Sequence, residues 1–192
     1  LYIWQWCYME SLTPSDRFPW DGYWIRWDRQ KVARINEVFN MAQKYGMDCW
    51  LYVRGTQAFR AHYEPFTAEW FDPGEKVFQK YPDVKGSYRG MCLMSCNTRQ
   101  WSRWCTPPCW SSKNYQRFVR ETCQNLFRNM PNLKGIIVEP MDQTLWCDDT
   151  CDACRGKTLG TKVADYVKQL REAAMLVRPD AQVALFHWGF PY

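Results

Sequence analysis

Glu139 closes the apolar run Gly135-Ile136-Ile137-Val138, and Asp142 follows three residues later. A carboxylate at the carboxyl end of a buried strand is costly unless it faces a polar cavity or a partner. Glu139 therefore reads in one of two ways. It is a proton-transfer group at the mouth of a site, or it is half of a salt bridge to Arg54 or Arg99. Asp142 is either its partner, since cleaving a glycosidic bond ordinarily takes two carboxyl groups, or a loop residue that caps a turn.

The same stretch runs on into Cys147, Cys151 and Cys154, spaced C-x3-C-x2-C, and a second group lies at Cys92, Cys96, Cys105 and Cys109. Both groups fall in loops that follow strands, so they are expected to meet in space. Disulfides are the first expectation, because ten cysteines in 192 residues favour an oxidising compartment. The alternatives are a structural zinc with four sulfur ligands that include Cys147, Cys151 and Cys154, whose short spacings suit it, and, last, free thiols, since the acidic neighbours Asp148, Asp149 and Asp152 disfavour a reactive thiolate. Cys7, Cys49 and Cys123 read as buried small hydrophobes.

The elements that must position these residues alternate along the chain. Strands are expected over 1–9, 47–55, 86–96, 133–139 and 181–190. Helices are expected over 31–46, within 66–82, and over 112–130 and 161–177, the last capped by Thr161. Val32, Ile35, Phe39 and Ala42 form one helical face, and Tyr115, Val119, Thr122, Leu126 and Met130 form another. Links from helix to strand are a few residues long, whereas links from strand to helix are long, so the carboxyl ends of the strands carry the elaborated loops. Ligands of α/β folds bind at that end.

The alternation implies an α/β fold, read as a (β/α)8 TIM-type barrel that is incomplete, with about five strands and four helices; the alternative is a five-stranded open sheet, which the apolar runs alone do not separate from it. Residues 1–192 read as a single partial barrel domain. Leu1 is not a start methionine and already lies in a strand, so a longer chain is expected around it. Arg54, His62, His187 and Trp188 follow strands and are the candidates for holding a substrate. All of the twelve tryptophans except Trp70 lie in expected strands or the loops after them. Flat amphipathic rings beside charged groups suit the faces of sugars, so carbohydrate is the expected partner.

Composition excludes several classes. The chain is 46% hydrophobic and 23% charged, which is globular and not disordered. No apolar run approaches the ~18 residues of a membrane span. The net charge of +5 is spread along the chain with no continuous basic stripe, which disfavours nucleic acid. RGKTLGTK lacks the pattern of a phosphate-binding loop.

The order of elements also resembles a known family. AQKYGMD leads into a strand, MCLMSCN ends one, and NYQRFVRETCQNLFRNMPNLKG leads into IIVE, with the cysteine-bearing loop CDDTCDACRG beyond. This arrangement is similar to the barrel of glycoside hydrolase family 20, the β-N-acetylhexosaminidases, and related glycosidase-like barrels. The resemblance implies a secreted or cell-surface O-glycosyl hydrolase that requires no cofactor, with Glu139 as general acid/base. In that family an Asp immediately precedes the catalytic Glu, whereas this chain reads Val138-Glu139-Pro140-Met141-Asp142. The alternative is a non-catalytic carbohydrate-binding or assembly protein on a degenerate barrel.

Overall fold

The computed structural model of the chain describes residues 2–8, 29–54, 62–64, 69–71, 78–87, 108–139, 147 and 149–186, with the backbone alone for 2–8, 54, 62–64 and 69–71. In chain order the elements are β1 (Tyr2–Tyr8), α1 (Arg29–Lys44), β2 (Cys49–Arg54), β3 (His62–Glu64), β4 (Glu69–Phe71), a 3-10 turn (Pro82–Val84), α2 (Lys113–Asn129), β5 (Leu133–Glu139), a second 3-10 turn (Asp152–Cys154), α3 (Leu159–Met175) and β6 (Gln182–Leu185). Four strands form one sheet in the order β1-β2-β5-β6, and every pair in it is parallel. β3 and β4 form a separate antiparallel hairpin.

The helices arise where the apolar spacing placed them. α1 buries Val32, Ile35, Phe39 and Ala42. It stops at Gly46, whose φ of 68° is a left-handed conformation that favours glycine. There the amide of Gly46 bonds the Gln43 carbonyl, and that of Met47 bonds the Ala42 carbonyl. These two bonds close a Schellman end. α2 begins at Ser112, whose hydroxyl accepts from the Tyr115 amide, and it buries Tyr115, Val119, Thr122 and Leu126. The cap of α3 is Thr158, one turn before the expected Thr161. Thr161 supplies the amide that Thr158 accepts.

The sheet follows chain order. Right-handed crossovers then put the three helices on one face, and their buried residues share one core with Leu51, Val53, Ile136 and Val138. β5 is central and buried along most of its length, as its unbroken apolar run requires.

This sheet overturns the barrel expectation. β2 and β5 are direct neighbours, in register from Cys49↔Leu133 to Arg54↔Glu139. No third strand can therefore lie between them, where the expected strand 86–96 belonged. Gly86 and Ser87 are not in a strand, and 88–96 lie outside the described residues. β1 and β6 are the two edges of an open sheet, and neither pairs with a further strand among the described residues. Among the described residues the architecture is a four-stranded parallel sheet covered by helices beside a small antiparallel hairpin, and no eight-stranded barrel is evident.

One further expectation changes. The helix sought within 66–82 is present at residues 78–80, but Trp70 lies in β4. No described helix is long and apolar enough to cross a membrane.

Candidate functional site

Because all four strands of the main sheet run the same way, Tyr8, Arg54, Glu139 and Leu185 end them on one side of the molecule. Register sets Tyr8 against Arg54 and Arg54 against Glu139. Glu139 is 3% exposed. Side chains alternate along a strand, so Glu139 shares a face with Tyr52, two residues before Arg54 on the neighbouring strand. The Tyr52 hydroxyl donates to Glu139 Oε2. Behind Tyr52 the ring of Phe186 packs edge-on, with centroids 5.5 Å apart, and the Phe186 amide is tied to the Val138 carbonyl at 2.8 Å.

The arrangement satisfies one lone pair of a buried carboxylate with a phenol. Such a group can orient a polar ligand or exchange a proton at the end of the sheet. Trp50 also lies on this face. Its ring crosses β5 over Gly135, where a Cβ would come within 2.6 Å of Trp50 Cζ3 and 2.8 Å of the Gln182 carbonyl oxygen.

Of the other expected substrate residues, Arg54 is brought into register with Glu139. His62 starts β3 of the separate hairpin, opposite Phe71. Asp142, His187 and Trp188 lie outside the described residues. Tyr52 was missed at the level of sequence. Its only signal was its place two residues before the charged end of a strand, and that acquires meaning once β2 and β5 are known to be neighbours.

The cysteines form a second constellation. Cys109 precedes the N-cap of α2, Cys147 lies in the β5–α3 connection, and Cys151 precedes and Cys154 ends the 3-10 turn before α3. Their four sulfurs all lie within 4.8 Å of one another. Cys109 Sγ is 3.6 Å from Cys151 Sγ and 3.7 Å from Cys154 Sγ. A disulfide bond is about 2.05 Å long. None of the described cysteines is joined in a disulfide, so the disulfide expectation finds no support at Cys147, Cys151 and Cys154. The expectation of secretion rested on cysteine pairing and gains no support from these residues. Cys92, Cys96 and Cys105 lie outside the described residues.

The loops are built to hold this geometry. The Cys109 amide bonds the Val84 carbonyl at 2.7 Å, and Lys85 bridges to Pro108, which fixes the first loop. The Cys154 amide bonds the Cys151 carbonyl at 2.9 Å, which folds the C-x2-C pair into a turn. Thr150 and Ser87 hydroxyls, 2.7 Å apart, tie the two loops together. A hydrogen bond from Cys147 brings the Cys109 thiol down to about 5 against the opposing effect of burial, and Cys151 and Cys154 add to it. The same contact with Cys109, together with burial, raises Cys147.

Lys162 completes the surroundings. It is 4% exposed, in the first turn of α3, and its Nζ donates to the Cys147 carbonyl. Lys157 Nζ donates to Ser111 Oγ at 2.9 Å, and that hydroxyl lies 3.3 Å from Cys154 Sγ.

No family model matches the chain, and no curated protein matches it. The chain is similar in path to the crystal structure of the debranching enzyme from Nostoc punctiforme, at 9% identity and a TM-score of 0.45, covering 82% of this chain and 29% of that one. It is also similar to the native form of the Nostoc punctiforme debranching enzyme, at 9% identity and a TM-score of 0.49, covering 98% of this chain and 35% of that one. The chain thus spans about a third of the length of those structures. At this identity and superposition, neither likeness assigns the chain a family or an activity.

Proposed function

We propose that the chain carries the acid/base centre of a glycan-processing protein, with Glu139 exchanging a proton with a glycosidic oxygen at the carboxyl end of the sheet. The observation that supports this best is the buried Glu139 itself, 3% exposed and held by the Tyr52 hydroxyl. Burying a carboxylate costs several kcal/mol unless the group is compensated. A carboxylate held at the end of the sheet is placed to exchange a proton with a group bound there.

Asp142 enters the proposal as the second carboxyl group. Arg54, His62, His187 and Trp188 enter as groups that hold the sugar, on their chain positions alone. The proposal does not extend to N-acetyl sugars. The residue before Glu139 is Val138, wholly buried in the core with the helices, where the hexosaminidase pattern has the Asp that orients an acetamido group.

The test is a panel of aryl glycosides and oligosaccharides, read for released aglycone or new reducing ends and, in parallel, for binding. Turnover that vanishes in Glu139→Gln supports the reading. Glycan binding without turnover replaces the enzyme with a binding protein, and neither binding nor turnover removes carbohydrate altogether.

A further inference from the structure

We propose that Cys109, Cys147, Cys151 and Cys154 together bind one zinc ion in a closed, tetrahedral, four-thiolate site that locks the two loops at the carboxyl end of the sheet. The inference is independent of the role of Glu139.

The distances carry it. Zinc–thiolate bonds are about 2.3 Å, so the edge of the sulfur tetrahedron around zinc is about 3.8 Å. The cluster has separations of 3.6 and 3.7 Å from Cys109 to Cys151 and Cys154, and every separation is below 4.8 Å. Four thiols with no ion among them have no reason to converge so closely, because each is a weak hydrogen-bond donor and a weak acceptor. Three of the four are buried and the fourth is half-buried, so solvent does not compete for the metal. All four positions of the tetrahedron are filled by protein, which leaves no place for a substrate or water. The site is therefore structural and not catalytic.

The charge around the cluster is the second observation. Zinc with four thiolates carries two net negative charges. Cations in the first turn of a helix are opposed by its dipole, and a buried lysine is costly without a partner. Yet Lys162 is buried in the first turn of α3, which has no acidic residue in that turn, and it reaches the backbone of Cys147. A dianionic centre accounts for a cation kept there. Lys157 approaches the same cluster through Ser111.

Binding exchanges the thiol protons for the ion, and they leave to solvent. Sulfur is not oxidised, so no electron acceptor is needed. The consequence is positional. Cys147 stands eight positions after Glu139 in the chain, so the metal fixes a point close in sequence to the candidate proton-transfer group.

The test uses the chain purified under reducing conditions in zinc-replete medium, with metal counted by plasma emission against protein. One zinc per chain is expected. Cobalt titrated into the metal-stripped chain should give, at one equivalent, the intense visible bands of tetrahedral thiolate cobalt and their charge-transfer companions. Lys162→Met should keep one equivalent but weaken binding about tenfold, in the lower part of the range for partners behind metal ligands. Cys123→Ala, outside the cluster, should change neither number. Cys109→Ala should lose the four-sulfur cobalt spectrum; should that variant fail to fold, the cobalt spectrum of the unaltered chain still decides. Less than a tenth of an equivalent of zinc, a cobalt spectrum of octahedral type, or disulfide-linked peptides joining these cysteines in the freshly purified chain would overturn the proposal.

Discussion

Gly135→Ala tests the close packing on which the face of Glu139 depends. The added Cβ would lie 2.6 Å from Trp50 Cζ3 and 2.8 Å from the Gln182 carbonyl oxygen, against about 3.5–4.0 Å for an unstrained contact. The indole ring can slide, but the carbonyl cannot, because Gln182 is the strand partner of Gly135. Overpacking of this kind costs about 1–3 kcal/mol. Replacing glycine also restricts the unfolded chain, which returns about 0.4–1 kcal/mol. The clash wins, and a net loss of about 1.3 kcal/mol is expected. For a domain of this size that corresponds to about 3–5 °C in Tm. Urea unfolding followed by far-UV circular dichroism should show a lower midpoint with an unchanged slope. Adding Trp50→Leu should recover part of the loss as a non-additive coupling, and the remainder belongs to the carbonyl. A change below about 0.5 kcal/mol would refute the stated register of β5 with β6 and the stated path of Trp50 over β5.

Other consequences are as direct. Tyr52→Phe strips the hydrogen bond from a buried carboxylate and should cost about 1–3 kcal/mol by the same urea assay. Ser112→Ala removes both the α2 cap and the donor to Asp83 Oδ2, 2.5 Å away, and should cost about 1–2 kcal/mol. Burial pushes the Asp83 carboxyl up, but hydrogen bonds from Ser112 and Asn114 outweigh it and hold the group below its usual range. Its contribution to stability is therefore present above the unfolded value of about 3.9 and fades as pH falls through the lower folded value. Asp83→Asn should flatten the acid limb of stability against pH. Cys123 is buried beneath α3 and its thiol is pushed up to about 12, so it should resist iodoacetamide in the native chain and react only after unfolding, as peptide mass spectrometry would show.

Much of the fold could be read from local pattern. The stripe Val32, Ile35, Phe39 and Ala42 is the buried face of α1, and Cys49 and Cys123 are buried as expected. Both follow from side-chain period and polarity, which are properties of neighbouring residues. Strand adjacency is not. Nothing local states that 49–54 pairs with 133–139, across 78 residues of intervening chain, so the supposed strand 86–96 was placed between them and a barrel was inferred. The same non-locality hid Tyr52, whose partner is 87 residues away. Glu139 was legible because a charge at the end of an apolar run is conspicuous in any register. In the cysteine cluster the C-x2-C pair was visible, whereas the approach of Cys109 to it depends on the turn that Val84 and Pro108 impose. Lys162 carried no signal, since a lysine in a helix is ordinarily solvated.

The proton-transfer role of Glu139 is decided most directly by Glu139→Gln, measured on the glycan that the native chain turns over. The amide keeps an oxygen for Tyr52 but cannot exchange a proton in the same way. The expected result is a fall in kcat of about 10²–10⁴-fold, with glycan Kd unchanged within about twofold and Tm within about 2 °C. Equal kcat in the two proteins, or a loss of turnover that merely follows a loss of folding, would contradict it.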